Sequence, residues 1–490
     1  MKSGIDPEGL RLPIKLDTTS NGEFEPVPLT PANRAANHLA QEAASHNAKR
    51  VGLGRRDFLV SACGAASTLL AFNAANAQAG KTGGFFDLAA EAALEPQLAQ
   101  ASLEKGEFIF DVQGHFVDPT SAWLKSAPES AFTFTSKGNC SLNDRTGPRS
   151  HLACLTPQEF IKDVFMDSDT DMMVLSFVPT KRDASPLTIE SADAVRQIVD
   201  KMEGNHRLLI HGRVNPNQPG DIEDMEELRD RWKISAWKTY TQWGLDGNGF
   251  FLSDDIGIRF IEKARALGVK VICVHKGLPF GKKSYEHSQC SDIGIVAKRF
   301  PDVNFLIYHS GFVPNLAEGP FTGRGADDGI DTLIRSLIEN GVKPNSNVYA
   351  ELGSTWRFLM REPDSAAHAM GKLLKYCGPD NVLWGTDSIW YGSPQDQIQA
   401  FRTFQISKEF REKYGYPEIT PALRAKIFGL NAAKVYKISA EEIKMRARGD
   451  RVARERLAYL ENPQPHYLTY GPKNRREFLN LLRWNGGERA

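Results

Sequence analysis

Two polar side chains follow the first strongly apolar segment of the chain, and both could bind a metal ion. Gln113 and His115 come directly after residues 108–112, and Gly114 lies between them. Successive residues of a β-strand face opposite sides, so Gln113 and His115 point the same way, and Gly114 leaves room for a close approach. An amide oxygen and an imidazole directed at one point form half of a metal site. An isolated Gln-Gly-His is more often an ordinary loop start, so the interpretation depends on the rest of the chain.

Residues of similar chemistry recur at the ends of later apolar segments. Eight such segments predict strands at 108–112, 172–178, 207–214, 234–240, 269–275, 303–309, 347–352 and 381–387. Their apolar residues are continuous rather than alternating, which is typical of parallel strands covered on both faces. Besides Gln113 and His115, the residues at or near the strand ends that could do chemistry are Lys238, His275, His309, Glu351 and Asp387.

The elements between the strands predict the fold. Helical patterns at 188–202, 255–267, 330–339 and 366–376 alternate with the strands, which indicates a (β/α)8 TIM barrel with long βα loops over residues 107–436. A doubly wound open sheet is the alternative, but it would carry a glycine-rich phosphate turn after the first strand, and the sequence has none there. In a barrel the polar strand ends meet at one face, where active sites lie.

The amino-terminal region predicts export. Residues 1–54 are polar and are expected to be flexible. Residues 55–79 resemble a twin-arginine signal peptide, with Arg55 and Arg56 before a short apolar run and Ala77-Gln78-Ala79 as a small-x-small cleavage site. Residues 80–106 are then a linker. The expected location is the periplasm, or the cytoplasm if the signal is not used.

Composition limits the partners. The 490 residues carry zero formal net charge, which argues against nucleic acid and anionic membranes as partners. No stable membrane anchor is expected after signal cleavage, because no other stretch approaches the roughly 20 apolar residues of a membrane helix. The carboxyl-terminal extension 437–490 is charged and helical in pattern. It is expected to pack either on the barrel or on another subunit, and the second arrangement would make the protein a homodimer.

Cys140 and Cys154 could pair as a disulfide in an oxidising compartment.

The order of the strand-end residues carries a family resemblance. It resembles the amidohydrolase superfamily, and within it the branch that contains aminocarboxymuconate semialdehyde decarboxylase and γ-resorcylate decarboxylase. The resemblance extends from residue 108 to about residue 436 and includes the sequence Ile-Phe-Gly-Leu-Asn-Ala-Ala at 427–433, which is similar to the closing helix of that branch. The motifs that carry it are Asp-x-Gln-x-His ending at His115, then Lys238, His275, His309 and the Trp-Gly-Thr-Asp sequence ending at Asp387.

The resemblance implies a metal site and a set of roles. His115, His275 and Asp387 match the metal ligands, and Gln113 replaces the usual histidine or glutamate as a weaker ligand. One divalent ion is implied, with zinc expected and manganese the alternative. His309 matches the acid/base histidine and is expected to titrate near neutrality. Lys238 matches the bridging lysine of binuclear members, but here it is expected to orient the substrate.

Three functions remain open from the sequence. The first is a hydrolase in which a metal-activated water, deprotonated by Asp387, attacks the substrate. The alternatives are a non-oxidative decarboxylase of an unsaturated or aromatic acid and a barrel that binds a ligand without turnover. A small anionic or aromatic substrate is expected, because the residues predicted to bind it are charged or aromatic: Lys276, Glu351, Trp356, Arg357, Tyr240 and Trp390.

Overall fold

The computed structural model describes residues 6, 8–120, 122–125, 150–202, 206–279, 282–323 and 328–484. Eight parallel strands form one sheet in sequence order, from Phe110–Gly114 to Val382–Leu383. The sheet closes between Gly114 and Ser388, where His115 N donates to Ser388 O at 2.6 Å. The predicted (β/α)8 barrel is confirmed. The strands are β1 Gly84–Phe86, β2 Phe110–Gly114, β3 Met172–Leu175, β4 Leu208–Arg213, β5 Ala236–Tyr240, β6 Val271–His275, β7 Asn304–Tyr308, β8 Val348–Glu351, β9 Val382–Leu383 and β10 Phe404–Ile406.

All eight predicted strands are present, but most are shorter than predicted. Almost every residue in them is buried, which accounts for their continuous apolar sequences. At the carboxyl end of β7, His309 has a positive φ of 64°, so the strand stops at Tyr308 and the backbone turns into the mouth of the barrel. β1 and β10 pair antiparallel with each other outside the barrel.

Amphipathic helices surround the barrel, and α6, α8, α11 and α13 lie where the sequence predicts them. α8, for example, buries Ile258, Phe260, Ile261 and Ala264 on one face. The helices are α1 Pro31–Arg50, α2 Arg55–Leu59, α3 Ala62–Gln78, α4 Pro96–Leu103, α5 Pro157–Ile161, α6 Ile189–Lys201, α7 Met225–Asp230, α8 Asp255–Ala266, α9 Lys282–Ser288, α10 Ile293–Arg299, α11 Ile330–Asn340, α12 Thr355–Leu359, α13 Pro363–Tyr376, α14 Gln395–Thr403, α15 Lys408–Tyr414, α16 Pro421–Ala425, α17 Asn431–Val435, α18 Ala440–Lys444, α19 Arg451–Tyr459 and α20 Arg475–Trp484.

Residues 8–54 have a defined structure, which differs from the expectation of a flexible segment 1–54. Thr30 caps α1 in a reciprocal capping box with Asn33. The residues that α1 buries include Ala36, Ala40 and Ala44, and this alanine face packs along α3. Because alanine is small and only weakly apolar, such a face gives little hydrophobic periodicity, and the sequence therefore did not reveal the helix. Export through residues 55–79 and cleavage after residue 79 stay predictions.

The carboxyl-terminal extension packs on the barrel. Arg207, directly before β4, forms a buried ion pair with Asp450, with 2.5 Å between Nε and Oδ2. Val452 and Leu481 are also buried. Within the described residues, no helix combines the length and the apolar character needed to cross a membrane. Cys140, and with it the predicted disulfide to Cys154, lies outside the described residues.

Candidate active site

The carboxyl ends of the strands bring five of the predicted residues together. His115 Nε2 lies 3.0 Å from Asp387 Oδ1, and Gln113 Nε2 donates to the same oxygen at 2.5 Å. The rings of His275 and His309 have centroids 4.5 Å apart, and His309 Nδ1 is 3.9 Å from Asp387 Oδ2. None of these side chains is more than about 4% exposed. We call Gln113, His115, His275, His309 and Asp387 the mouth ring.

The backbone that carries the mouth ring is strained, and Glu351 binds it through hydrogen bonds from two N–H groups. His309 and Asp387 have φ values of 64° and 63°, a conformation that costs about 1–3 kcal/mol for residues with a side chain. The Glu351 carboxyl accepts the N–H groups of His309 at 3.0 Å and Gly353 at 2.6 Å. A Cβ on Gly385 would lie 1.6 Å from Glu351 Oε1, so the glycine makes room for this contact. Glu351, predicted to bind substrate, is therefore occupied in positioning the mouth ring.

Asp387 accepts hydrogen bonds from several directions. Besides Gln113 and His115, Ser354 Oγ donates to Oδ2 at 2.6 Å and Asn21 Nδ2 donates to it at 2.8 Å. Burial by itself would raise the pKa of Asp387, but the hydrogen bond with His115 and the neighbouring His309 hold this pKa well below its ordinary value. Asp387 is thus an ionised group and a weak base.

His309 is a neutral imidazole with one nitrogen directed into the site. Its Nδ1 lies 2.7 Å from the carbonyl oxygen of Gly353, and because a carbonyl only accepts, Nδ1 carries the proton. Nε2 is then the lone-pair nitrogen. Burial lowers the pKa of His309 to about 4, so the expectation that it titrates near neutrality is wrong. Burial likewise holds the pKa of His275, which stacks on Tyr240, well below its ordinary value.

Lys238 extends from β5 beneath the mouth ring into an aromatic environment. Its Nζ lies 3.7 Å from the centroid of the Tyr308 ring and 4.7 Å from that of Tyr240. Within the described part of the chain this buried amine has no hydrogen-bond partner. Burial lowers the pKa of Lys238 from 10.5 to about 8. At pH 7 the side chain is mostly an ammonium group that can release its proton easily.

An acidic residue from the amino-terminal region completes the site, and sequence reasoning missed it. Residues 12–24, which we call the mouth segment, lie across the carboxyl face of the barrel. Glu23 Oε1 is 3.4 Å from His275 Nδ1, and Oε2 is 3.5 Å from His309 Nε2. Asn21 Nδ2 donates to Glu23 Oε2 at 2.6 Å and also to Asp387. Burial and the nearby Asp387 raise the pKa of Glu23 to about 8. No periodicity or motif marks this segment, and Asn21 and Asp387 are 366 residues apart in sequence.

The donor atoms at the mouth fit a divalent metal ion. Glu23, His275 and His309 each offer a ligand atom, and the three atoms lie within 4.8 Å of one another. The Gln113 Oε1 atom is buried and has no hydrogen-bond partner among the described residues, so an amide oxygen is also available. Imidazole nitrogens and carboxylate oxygens are the donors that zinc and manganese take in proteins.

The other residues predicted to bind substrate have different positions. Tyr240 lies at the site, where its ring centroid is 4.6 Å from that of His275. Lys276 Nζ pairs with Asp292 at 2.8 Å, which directs it away from the mouth ring. Trp356 packs against phenylalanine rings of the core, and its Nε1 donates to the carbonyl oxygen of Gln397 at 3.0 Å. The structure does not bring Lys276 or Trp356 to the site.

Arg357 and Trp390 are also held by nearer partners. The Arg357 guanidinium pairs with Asp17 at 2.7 Å and with Asp396 at 3.2 Å, so it anchors the mouth segment to the barrel. Trp390 is buried in an apolar cluster with Tyr470, whose N–H donates to the Trp390 carbonyl oxygen at 2.6 Å. Their position after a strand predicts proximity to the mouth, but it does not specify which way the loop directs each side chain.

A second group of acidic and histidine residues lies apart from the mouth ring. His466 Nε2 is 3.4 Å from Asp163 Oδ1 and 3.8 Å from Glu159 Oε2, and it is 2.8 Å from the Tyr470 hydroxyl. Burial lowers the pKa of His466, but attraction to Asp163 outweighs it and raises this pKa to about 9. The imidazolium ties the carboxyl-terminal extension to α5.

Comparison of the sequence with protein families gives one match. The amidohydrolase family model matches residues 195–438, which include β4 to β9 and therefore Lys238, His275, His309 and Asp387. The match does not include β2, where Gln113 departs from the pattern. The resemblance to the amidohydrolase superfamily predicted from the sequence is confirmed. No curated protein is detectably similar in sequence.

Several solved structures are similar to this chain. The 5-carboxyvanillate decarboxylase from Sphingomonas paucimobilis is 14% identical with a TM-score of 0.40, and the alignment covers 68% of this chain and 99% of that one. An amidohydrolase from Burkholderia multivorans with bound zinc is 17% identical with a TM-score of 0.40, over 68% and 100% of the two chains. A 2,6-dihydroxybenzoate decarboxylase in complex with 2,6-dihydroxybenzoate is 14% identical with a TM-score of 0.38, over 68% and 100%.

Proposed function

Taking the resemblance to the amidohydrolase superfamily as the premise, we propose that the protein is a metal-dependent decarboxylase of a small aromatic or unsaturated carboxylic acid. One observation carries the proposal: a carboxyl group, that of Glu23, already lies against the imidazoles of His275 and His309, at 3.4 and 3.5 Å. The place between these rings therefore has the size that a carboxyl group needs. A substrate acid would bind there in the same way.

The surroundings of this place suit a flat anionic molecule. Tyr240 presents its ring beside His275, and Tyr308 presents its ring beside Lys238. These rings give the site flat apolar walls, and the Lys238 ammonium attracts the charge of an anionic substrate. The predicted ligands of a divalent ion are His115, His275 and Asp387, with Gln113 as a weaker ligand, whereas the three ligand atoms that lie within 4.8 Å of one another belong to Glu23, His275 and His309. An ion held at the mouth would supply further positive charge for the substrate carboxylate.

The pKa values of the proton donor and of the bases at the site favour decarboxylation over hydrolysis. Loss of carbon dioxide breaks the carbon–carbon bond to the carboxylate, and the electron pair left on carbon must take up a proton. Lys238 can donate this proton, because its pKa is about 8 and its ammonium group is mostly protonated at pH 7. Water then returns a proton to the amine. Hydrolysis needs a base instead, and both Asp387 and His309 have lowered pKa values.

Hydrolysis of a small ester or amide is the second candidate. It is favoured by His309, whose Nε2 lone pair points into the site and could accept a proton from water. Because the pKa of His309 is about 4, it is a weak base, and we therefore prefer decarboxylation to hydrolysis.

The two reactions are separated by their products. Protein supplied with zinc or manganese is incubated with a panel of hydroxybenzoic and unsaturated acids, and with esters and amides of similar size. We expect carbon dioxide release from at least one acid by the wild type or by Glu23→Ala, in which the carboxylate on the two imidazoles is absent. Lys238→Met should abolish the release, whereas Lys270→Met, an exposed lysine at the opposite end of the barrel, should not. Ester or amide cleavage without carbon dioxide release would refute the proposal.

A further inference from the structure

We propose that the mouth segment is an internal plug, in which the Glu23 carboxyl group takes the place of the substrate carboxylate, and that the enzyme binds substrate only when this segment withdraws. The inference rests on the proposed function for the class of substrate. It goes beyond that function because it concerns access to the site and makes the chain its own competitive inhibitor.

The geometry of Glu23 is that of a bound ligand. Its two carboxylate oxygens are directed at two different imidazoles, and Asn21 bridges it to Asp387 through hydrogen bonds of 2.6 and 2.8 Å. Gly22, between them, has a φ of 91°, and a Cβ there would lie 2.5 Å from Leu481 Cδ2. The glycine thus permits the left-handed turn that directs both Asn21 and Glu23 into the barrel.

The plug is held by buried polar contacts on both sides. On the barrel side, Arg357 pairs with Asp17 at 2.7 Å and also donates to the Lys15 carbonyl oxygen. On the outer side, the carboxyl-terminal extension covers the segment: Thr19 bonds to Thr469 at 2.8 Å, and Ser20 N donates to the carbonyl oxygen of residue 472 at 2.8 Å. These contacts place Glu23 over the site.

Among the described residues, the site is closed to solvent. Side chains of the mouth ring and of Lys238 are at most about 4% exposed, and Glu23 itself is 6% exposed. A catalytic metal site normally keeps a position open for substrate or solvent. Here the position beside His275 and His309 is filled by a residue of the same chain. Cleavage at the predicted site after residue 79 would separate the plug from the barrel, which connects release of the plug to the predicted export.

The plug is tested by measuring how a small carboxylate binds to the full-length protein. Benzoate is titrated calorimetrically into wild type, Glu23→Ala and Glu25→Ala, each with one equivalent of zinc, and zinc content is measured after dialysis. Glu25 is a matched control, because it is two residues away, exposed, and paired only with Arg475 among the described residues. A plug that fills the site at least nine-tenths of the time weakens binding by about tenfold or more, so Glu23→Ala should bind benzoate at least about tenfold more tightly than the other two.

The outcomes separate the plug from its alternatives. Equal benzoate affinity in all three proteins would overturn the plug, as would loss of zinc from Glu23→Ala alone, which would make Glu23 a ligand that the metal site requires. Glu23→Gln, which keeps the shape of the side chain, serves if the alanine variant does not fold, and it should also bind benzoate more tightly than wild type. The comparison of benzoate affinities tests the plug whether or not zinc binds. Absence of zinc binding in the wild type would instead refute the proposed function.

Discussion

Replacing Lys238 by methionine should stabilise the protein while it abolishes activity. Burial lowers the pKa of Lys238 from 10.5 to about 8, and at about 1.4 kcal/mol per pKa unit this corresponds to a cost of about 3 kcal/mol for keeping the charged form in the folded state. Contact of Nζ with the rings of Tyr308 and Tyr240 offsets up to about 2 kcal/mol of it. Methionine has a similar length and no charge, so we expect Lys238→Met to raise the free energy of unfolding by about 1–3 kcal/mol.

The assay is thermal unfolding at several pH values. With an unfolding entropy of about 2.1 cal/mol/K per residue over 490 residues, 1 kcal/mol corresponds to about 1 °C in Tm, so the expected increase at pH 7 is about 1–3 °C. The folded pKa of about 8 lies below the unfolded value of 10.5, so between these pH values the unfolded state binds more protons. The stability of the wild type should therefore increase relative to that of Lys238→Met as the pH rises from about 8 to about 10.5.

The result that would refute this reasoning is a lower Tm for Lys238→Met at pH 7 with no difference in pH dependence. It would mean that the ammonium group has a favourable charge partner in the folded protein, and the group would then not be poised to release its proton. Lys270→Met is the control, because Lys270 is exposed and pairs with Asp302 at 2.9 Å, so its replacement should change the Tm by less than about 1 °C.

Three further predictions concern the metal, the second cluster and export. His275→Ala should abolish metal binding measured by titration, whereas Gln113→Ala should weaken it much less and Gln113→His should tighten it, because imidazole is the better donor; equal losses in the two alanine variants would make Gln113 a full ligand. The pKa of His466 is raised to about 9, so its stabilising interaction is complete below pH 6.5 and is lost as the pH rises through about 9; chemical denaturation should show His466→Gln losing about 2–3 kcal/mol at pH 6, and an unchanged stability there would contradict the ion pair. Replacing Arg55 and Arg56 by lysine should leave the protein in the cytoplasm in cell fractionation, and periplasmic protein with unchanged yield would contradict the export prediction.

The barrel and its mouth were predictable because both depend on local sequence. Continuous apolar segments identify buried parallel strands, and the polar residue at each carboxyl end is then placed at one face by the fold itself. His115, His275, His309 and Asp387 therefore come together in the structure as the sequence predicts. The pKa of His309 was not predictable in the same way, because it depends on how completely the surrounding side chains exclude water.

The amino-terminal part of the site could not be predicted, for two physical reasons. The buried face of α1 is built of alanines such as Ala40 and Ala44, so its amphipathic pattern is weak. Glu23 reaches the mouth through a single tight turn at Gly22 in a polar segment, and nothing local specifies which distant surface such a segment contacts. For Arg357, the sequence predicts the position after β8 but does not predict the pairing of its side chain with Asp17.

The central claim, that the site removes carbon dioxide from an acid with a proton donated by Lys238, is tested most directly by the fate of isotopes. An acid labelled with carbon-13 in its carboxylate is turned over in deuterium oxide that also contains oxygen-18, and the product is analysed by mass spectrometry. We predict labelled carbon dioxide and a product with one deuterium on the carbon that lost the carboxylate, formed by Glu23→Ala and not by Glu23→Ala/Lys238→Met. The acetyl ester of the same labelled acid is tested in parallel, and release of acetate that carries oxygen-18, while the acid retains its carbon-13, would show hydrolysis and would contradict the account.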